Sequence, residues 1–148
     1  MAELDFDDPT VEKNWYAGQR ARVLEYLDRQ NLKHGGVAEH PAWLLAPYVS
    51  IWPVQSLKNP KAIGWWAISG DCPTDYISSA SADTARSAMR AFADQWDEVA
   101  NCLANGIDHP QITIGPPEMR SELAPILQRR AKILRQFADD DGAWPSPQ

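Results

Sequence analysis

Apolar side chains recur every three or four residues in three stretches of the chain, which is the spacing of helices with one buried face. The strongest pattern predicts a helix over 82–104, with Gly106 beyond its end. A first helix is predicted over 10–33, with Thr10 as its N-cap, and a last one from residue 117 or 121 to 137. The apolar positions of the middle helix are Ala85, Ala88, Met89, Phe92, Trp96, Val99 and Leu103.

Two stretches between the first and middle helices are rich in β-branched and aromatic residues. Residues 48–54 and 63–69 therefore predict two strands that form a hairpin. Folding this hairpin brings Trp52 near Trp65 or Trp66, an aromatic cross-strand pair that would fix the register.

The connecting segments carry proline, glycine and small polar residues. Pro53 has no N–H, so the first strand of the hairpin is expected at a sheet edge or to end there. Residues 39–47 are predicted to form a short helical turn, residues 70–81 a loop, and residues 112–114 a short third strand.

These elements give the order helix, β-hairpin, helix, short strand, helix. Because an isolated hairpin is marginal in water, it must pack on the helices. The sequence therefore predicts one small α+β domain with more helix than sheet, over residues 10–138. A loose acidic N-terminus, 1–9, precedes it, and an acidic, proline-containing tail, 139–148, is expected to fray.

Charge narrows the classes of partner. The 148 residues carry a formal net charge of −6, and this field repels nucleic-acid backbones and anionic membranes. It suits a basic protein partner. The last helix is locally basic, but its cations are expected to be solvated or paired with acidic neighbours such as those of the tail.

Cysteine content and the absence of familiar motifs narrow the chemistry. Two cysteines, an acidic start and no long apolar run predict a cytoplasmic protein without a disulfide framework. No phosphate-binding loop or zinc-ligand spacing occurs, so we expect no cofactor and no metal. The sequence favours a non-enzymatic protein but does not exclude an enzyme, and it does not indicate the oligomeric state.

The most distinctive stretch runs from the second predicted strand into the loop after it. Asp71 and Asp75 could act as an acid/base pair or hold a cation, with Ser69 and Thr74 adding oxygens. The alternative is a purely structural turn, in which Gly70 supplies a positive φ and the polar side chains cap the backbone. The candidate ligand or partner loop is Ser69, Gly70, Asp71, Thr74, Asp75 and Tyr76.

Adjacent Trp65 and Trp66 point to opposite faces of their strand. One is expected in the core. The other either packs under another helix, which the number of helices favours, or lies exposed as an anchor for a partner.

The hairpin and the segment after it resemble a bacterial family known only as a domain of unknown function. The residues that carry the resemblance are Tyr48-Val-Ser-Ile-Trp52, Trp66-Ala-Ile-Ser-Gly-Asp71-x-Pro73-Thr-Asp75-Tyr76-Ile77, and the Ala/Arg-rich helix with Phe92 and Trp96. The resemblance covers about residues 14–104. It implies no reaction, ligand or catalytic residue, and it gives the Ser-Gly-Asp-x-Pro-Thr-Asp segment more weight than a random turn.

Two functions follow as hypotheses. Small size, acidity and many aromatics without a catalytic pattern favour a protein-binding module, of the immunity, antitoxin-like or accessory kind. The alternative is an enzyme or a small-ligand or metal-binding protein that uses residues 69–76.

Overall fold

The computed structural model describes residues 5–59, 61–105 and 120–144. Over these ranges the chain forms three long helices and an antiparallel five-stranded sheet. The predicted α+β class, with more helix than sheet, is confirmed. The third strand predicted at 112–114 lies outside the described residues.

The chain divides into two compact units after Ala85. The first, 1–85, holds the sheet and the first helix. The second, 86–148, holds the other two long helices. Within the described ranges, no helix combines the length and apolarity needed to cross a bilayer.

The first helix, α1, spans Pro9–Arg29. The carboxylate of Asp8 caps it by accepting the N–H of Thr10 at 2.8 Å, so the predicted N-cap is two residues too late. The helix also ends before the predicted Lys33. Asn31 adopts a φ of 56°, a left-handed conformation that turns the chain away from the helix axis.

Five strands form one sheet. They are β1 Gly36–Val37, β2 Trp43–Leu45, β3 Val49–Gln55, β4 Ile63–Gly70 and β5 Cys72–Ser78. Their order is β1-β3-β4-β5, and β2 pairs with β3 on the same side as β1. The predicted hairpin is confirmed as β3–β4. The helical turn predicted over 39–47 is wrong, because β2 lies there.

The register of the hairpin differs from the predicted tryptophan pair. Trp52 lies opposite Ala67, while Trp65 lies opposite Val54. Trp65 is therefore the diagonal neighbour of Trp52 on the same face of the sheet. Trp66 lies opposite Pro53 on the other face.

Pro53 lies in a strand that has neighbours on both sides, so the expectation of an edge strand is wrong. Its carbonyl accepts the N–H of Ala38, just after β1, which places its backbone on the β1/β2 side. The two short strands pair with β3 on either side of this position, so no ladder bond is required from the missing N–H.

The loop predicted over 70–81 contains β5, which pairs antiparallel with β4. Pro73 and Asp75 are poor strand formers, but strand propensity depends strongly on neighbouring strands. Pairing with β4 and burial of Ile77 outweigh the low strand propensity of these two residues. The proline is tolerated because β5 ends the sheet order.

The core of the first unit lies between α1 and one face of the sheet, since α1 contacts β1, β3, β4 and β5. Half-buried Tyr16, Tyr26, Trp65 and Tyr76 pack around it. Its buried members are Val23, Leu27, Val37, Trp52, Val54 and Ala67.

The second unit is built on two helices, α2 (Ala85–Ala104) and α3 (Arg120–Asp139). All seven apolar positions predicted for α2 are buried, although α2 begins three residues later than predicted. Arg135 of α3 pairs with Asp97 and, at 2.8 Å, with Asp94 of α2. These hydrogen bonds raise the pKa of Arg135, which stays fully charged.

The segment after α3 makes specific contacts through Trp144, while the fraying expected of the tail stays a prediction. Asp141–Ala143 form a short 3-10 turn, and the buried indole of Trp144 donates to the carbonyl of Phe137 at 3.1 Å. The four residues that follow lie outside the described ranges.

Two arginines of α2 hold this segment. Arg86 donates to the carbonyl of Ala138 at 2.6 Å and to Asp141 at 2.6 Å, and its guanidinium lies 5.8 Å from the Trp144 ring centroid. Arg90 donates to the same carbonyl at 3.1 Å. The hydrogen bond and then the charge of Arg86 lower the pKa of Asp141. We call these five residues the α3 clasp.

Candidate functional site

The turn between β4 and β5 meets the turn between β2 and β3. Gly70 has a φ of 141°, and a Cβ there would lie 2.3 Å from the carbonyl oxygen of Tyr48. The next residue, Asp71, donates its N–H to that same oxygen at 2.9 Å. Only glycine allows two backbones to approach this closely, so Gly70 is required by the contact between the turns.

The turn between β2 and β3 presents two large apolar side chains to solvent. Tyr48 is 53% exposed and Leu45 is 40% exposed. The backbone that carries them is fixed, because the N–H of Tyr48 donates to the carbonyl of Leu45 at 2.8 Å and its own carbonyl accepts from Asp71. We call these side chains, with the exposed Asp71 beside them, the turn surface.

Helix α1 supports the same region. Arg22 donates to the carbonyl of Gly70 at 3.2 Å. The β4–β5 turn is thus bound from one side by a helix side chain and from the other by the backbone of a neighbouring turn. The turn surface is therefore supported by three parts of the first unit, namely α1, the β2–β3 turn and the β4–β5 turn.

Ser69 lies inside the protein and is a structural residue. The indole N–H of Trp52 donates to the hydroxyl of Ser50 at 2.9 Å, and that hydroxyl lies 3.0 Å from the hydroxyl of Ser69. All three side chains are fully buried. This chain of hydrogen bonds satisfies polar groups in the core and leaves Ser69 unsuited to contact a ligand.

Asp71 and Asp75 lie in different surroundings. Asp71 is exposed at the turn, whereas Asp75 is 7% exposed as the fourth residue of β5. An extended strand advances ~3.3 Å per residue, so the four residues from Asp71 to Asp75 span at most about 13 Å. No cluster of three or more metal-ligating side chains occurs among the described residues. The geometry does not favour a shared cation or an acid/base pair.

The carboxylate of Asp75 is held at the end of the sheet. It accepts the N–H of Tyr76 at 2.8 Å and the hydroxyl of Tyr26 at 3.5 Å. Burial raises the pKa of the Tyr26 phenol well above its ordinary value, and the charge of Asp75 raises it further. The Tyr26 hydroxyl therefore stays protonated and remains a donor.

A shallow depression of about 420 Å³ lies between α1 and β5. Its lining combines two guanidinium groups with a carboxylate, a phenol and a hydroxyl. Arg29 pairs with Glu25 one turn earlier on the same helix. The residues that line it are Arg22, Glu25, Tyr26, Arg29 and Thr74.

Neither Trp65 nor Trp66, the two candidate interface aromatics, is a largely exposed side chain. Trp66 is 4% exposed and donates its indole N–H to the carbonyl of Ala82 at 3.0 Å. Trp65 is half-buried against the α1 core. Among the described residues the large exposed apolar side chains are Leu45, Tyr48, Leu57, Ile63 and Ile126. Of these, Tyr48 was predicted in a strand and Leu45 in a helical turn.

A comparison with models of protein families shows where the chain belongs. The family model described as a domain of unknown function, DUF4826, matches residues 10–144. The chain belongs to the DUF4826 family. This confirms the resemblance to a family of unknown function, but the expected extent of 14–104 was too short, since the DUF4826 match also includes α3 and the whole α3 clasp. No curated protein and no solved structure matches the chain.

Proposed function

We propose that this DUF4826 protein is a non-enzymatic protein-binding module that contacts its partner through the turn surface. The observation that carries the proposal is the pair of exposed side chains, Tyr48 and Leu45, on a backbone fixed by Gly70 and Asp71. Rigid, exposed tyrosines are frequent anchors of protein interfaces because their ordering costs little entropy.

The overall charge supports a basic partner. The chain carries a formal net charge of −6, and Asp71 lies exposed beside the apolar side chains of the turn surface. Complementary charge around an apolar anchor speeds association and selects the partner. Binding to such a partner should weaken as the salt concentration rises.

The test is affinity capture with the full tagged chain from its own cells, using Tyr48→Ala and a matched control, Leu57→Ala. Leu57 is also an exposed apolar residue, at 59%, but it lies beyond the opposite end of β3. We expect one stoichiometric protein that the wild type and Leu57→Ala retain, and whose affinity for Tyr48→Ala, measured by calorimetry, is at least about tenfold lower.

Two results would contradict the proposal. Equal retention by Tyr48→Ala and wild type would exclude the turn surface. Equal loss with Leu57→Ala would indicate non-specific apolar adhesion. A third outcome, tight binding that does not change with salt, would reject the basic partner but leave the surface in place.

A second candidate function is supported by the depression between α1 and β5. Two guanidinium groups, from Arg22 and Arg29, can hold a small carboxylate or phosphate. Titration with succinate and with inorganic phosphate, followed by amide chemical shifts, tests it. Shifts confined to the depression that disappear in Arg22→Ala and persist in Lys13→Ala would favour this function, and the absence of shifts would reject it.

A further inference from the structure

Strand β5 ends the sheet order, and among the described residues no strand pairs with its outer side. The alternation of the ladder shows which groups face outward. The N–H of Ser79 donates to the carbonyl of Gly64 at 3.0 Å, so this pair of residues is hydrogen-bonded. Hydrogen-bonded and non-hydrogen-bonded pairs alternate along an antiparallel ladder. The backbone N–H and C=O of Ile77 therefore point toward β4, and those of Tyr76 and Ser78 point outward.

An outward N–H on the last strand is a template for another strand. At Tyr76 this donor is occupied, because the carboxylate of Asp75 accepts it at 2.8 Å. The hydroxyl of Tyr26, on α1, binds the same carboxylate oxygen at 3.5 Å and helps to keep it there. The side chain of Asp75 thus takes the position that the carbonyl oxygen of a neighbouring strand would take.

The burial of Asp75 supports this interpretation over that of a surface charge. Its exposed fraction is only 7%, and carboxylates are rarely buried without a specific set of donors. Charged side chains turned onto a sheet edge are one way in which natural proteins prevent edges from joining.

We propose that Asp75 closes the outer edge of β5 against the β5 strand of a second copy, by accepting the N–H of Tyr76. The strand that Asp75 keeps away is the β5 strand of a second copy. Two identical edges are self-complementary when they meet antiparallel about a two-fold axis. This surface is distinct from the turn surface, so the proposal stands whether or not Tyr48 contacts a partner.

The experiment is sedimentation of the purified full chain over a wide range of concentration. We expect Asp75→Ala to self-associate at least about tenfold more tightly than wild type, since each copy frees one backbone donor for the partner strand. Asp71→Ala is the matched control, because it removes the same charge from the exposed turn of the same hairpin. It should sediment like wild type.

Asp75→Asn tests the hydrogen bond itself. The amide oxygen of asparagine can still accept the N–H of Tyr76, so this variant should sediment like wild type. If Asp75→Asn associates as strongly as Asp75→Ala, charge repulsion rather than the hydrogen bond closes the edge, and the proposal is overturned. A folded Asp75→Ala that sediments like wild type overturns it as well.

Amide hydrogen exchange in the wild type keeps the proposal testable if Asp75→Ala fails to fold. Both Tyr76 and Ser78 point their N–H groups outward, but only the first is bonded to Asp75. We expect the Tyr76 amide to exchange at least about tenfold more slowly than that of Ser78. Equal rates would show that the Asp75 bond does not close the edge.

Discussion

The β4–β5 turn and the end of α3 are both held against another part of their own unit, but by different forces. At the turn, backbone meets backbone, and the contact depends on the missing side chain of Gly70. At the α3 clasp, two long charged side chains reach across to carbonyl and carboxylate oxygens. The first contact depends on shape and tolerates almost no added atom. The second depends on charge and responds to solvent.

The largest effect expected from this difference is that of Gly70→Ala. A methyl group 2.3 Å from the Tyr48 carbonyl, on a residue with a φ of 141°, should lower the free energy of unfolding by about 3 kcal/mol. Urea unfolding followed by circular dichroism measures it. Gly18→Ala is the control, because Gly18 lies within α1 with no atom near its missing Cβ, and this change should stabilise by about 0.5–1 kcal/mol. If Gly70→Ala lowers the free energy of unfolding by less than about 1 kcal/mol, the two turns are not tightly fitted.

A smaller effect is expected for Arg86→Ala. Loss of its bonds to Ala138 and Asp141 and of its contact with the Trp144 ring should cost about 2 kcal/mol, whereas Arg90→Ala, which removes longer contacts, should cost about 0.5 kcal/mol. The Arg86→Ala cost, measured by urea unfolding, should shrink at high salt, while the Gly70→Ala cost should not. Equal costs for the two arginines, or a salt-independent Arg86 effect, would contradict the charge-based account of the clasp.

The smallest effect at neutral pH is expected for Tyr26→Phe, below about 1 kcal/mol, because its bond to Asp75 is long. Its signature is the pH dependence. The raised pKa of the Tyr26 phenol means that its contribution is fully present below the unfolded pKa of about 10 and is lost as pH rises toward the higher folded value. The free energy of unfolding of the wild type should therefore fall above pH ~10, and that of Tyr26→Phe should fall less.

Tyr16→Phe is the control for the pH experiment, since Tyr16 bonds His40 instead. It should keep the alkaline loss of the wild type. If Tyr26→Phe and wild type lose stability in parallel, Tyr26 does not ionise upon unfolding as its surroundings imply.

The local pattern of apolar residues was sufficient to predict the helices and strands that their own sequence defines. The helical spacing of Phe92 and Trp96 placed α2 correctly, and the run around Trp65 placed β4. Strands β2 and β5 were missed because each is a strand only by virtue of its neighbour. Nothing within Cys72-Pro-Thr-Asp-Tyr distinguishes an edge strand from a loop until β4 lies beside it.

The candidate site was predictable to a lesser degree. The alternative of a structural turn correctly gave Gly70 a positive φ, but the reason, its contact with Tyr48, joins residues 22 apart in sequence and has no local signal. Tyr48 was placed in a strand, although its position after Pro47 and before the first β-branched residue was a cue for a turn. The contact role of residues 69–76 stays a prediction.

The interruption at Pro53 has a practical consequence. Since the carbonyls of Pro53 and Ile51 accept the N–H groups of Ala38 and Ala42, the crossing between β1 and β2 is anchored at both ends by backbone bonds. A short peptide inserted after the exposed Glu39 would lengthen this crossing without breaking a ladder bond. The position offers an internal attachment point for a spectroscopic label or an epitope, away from both termini.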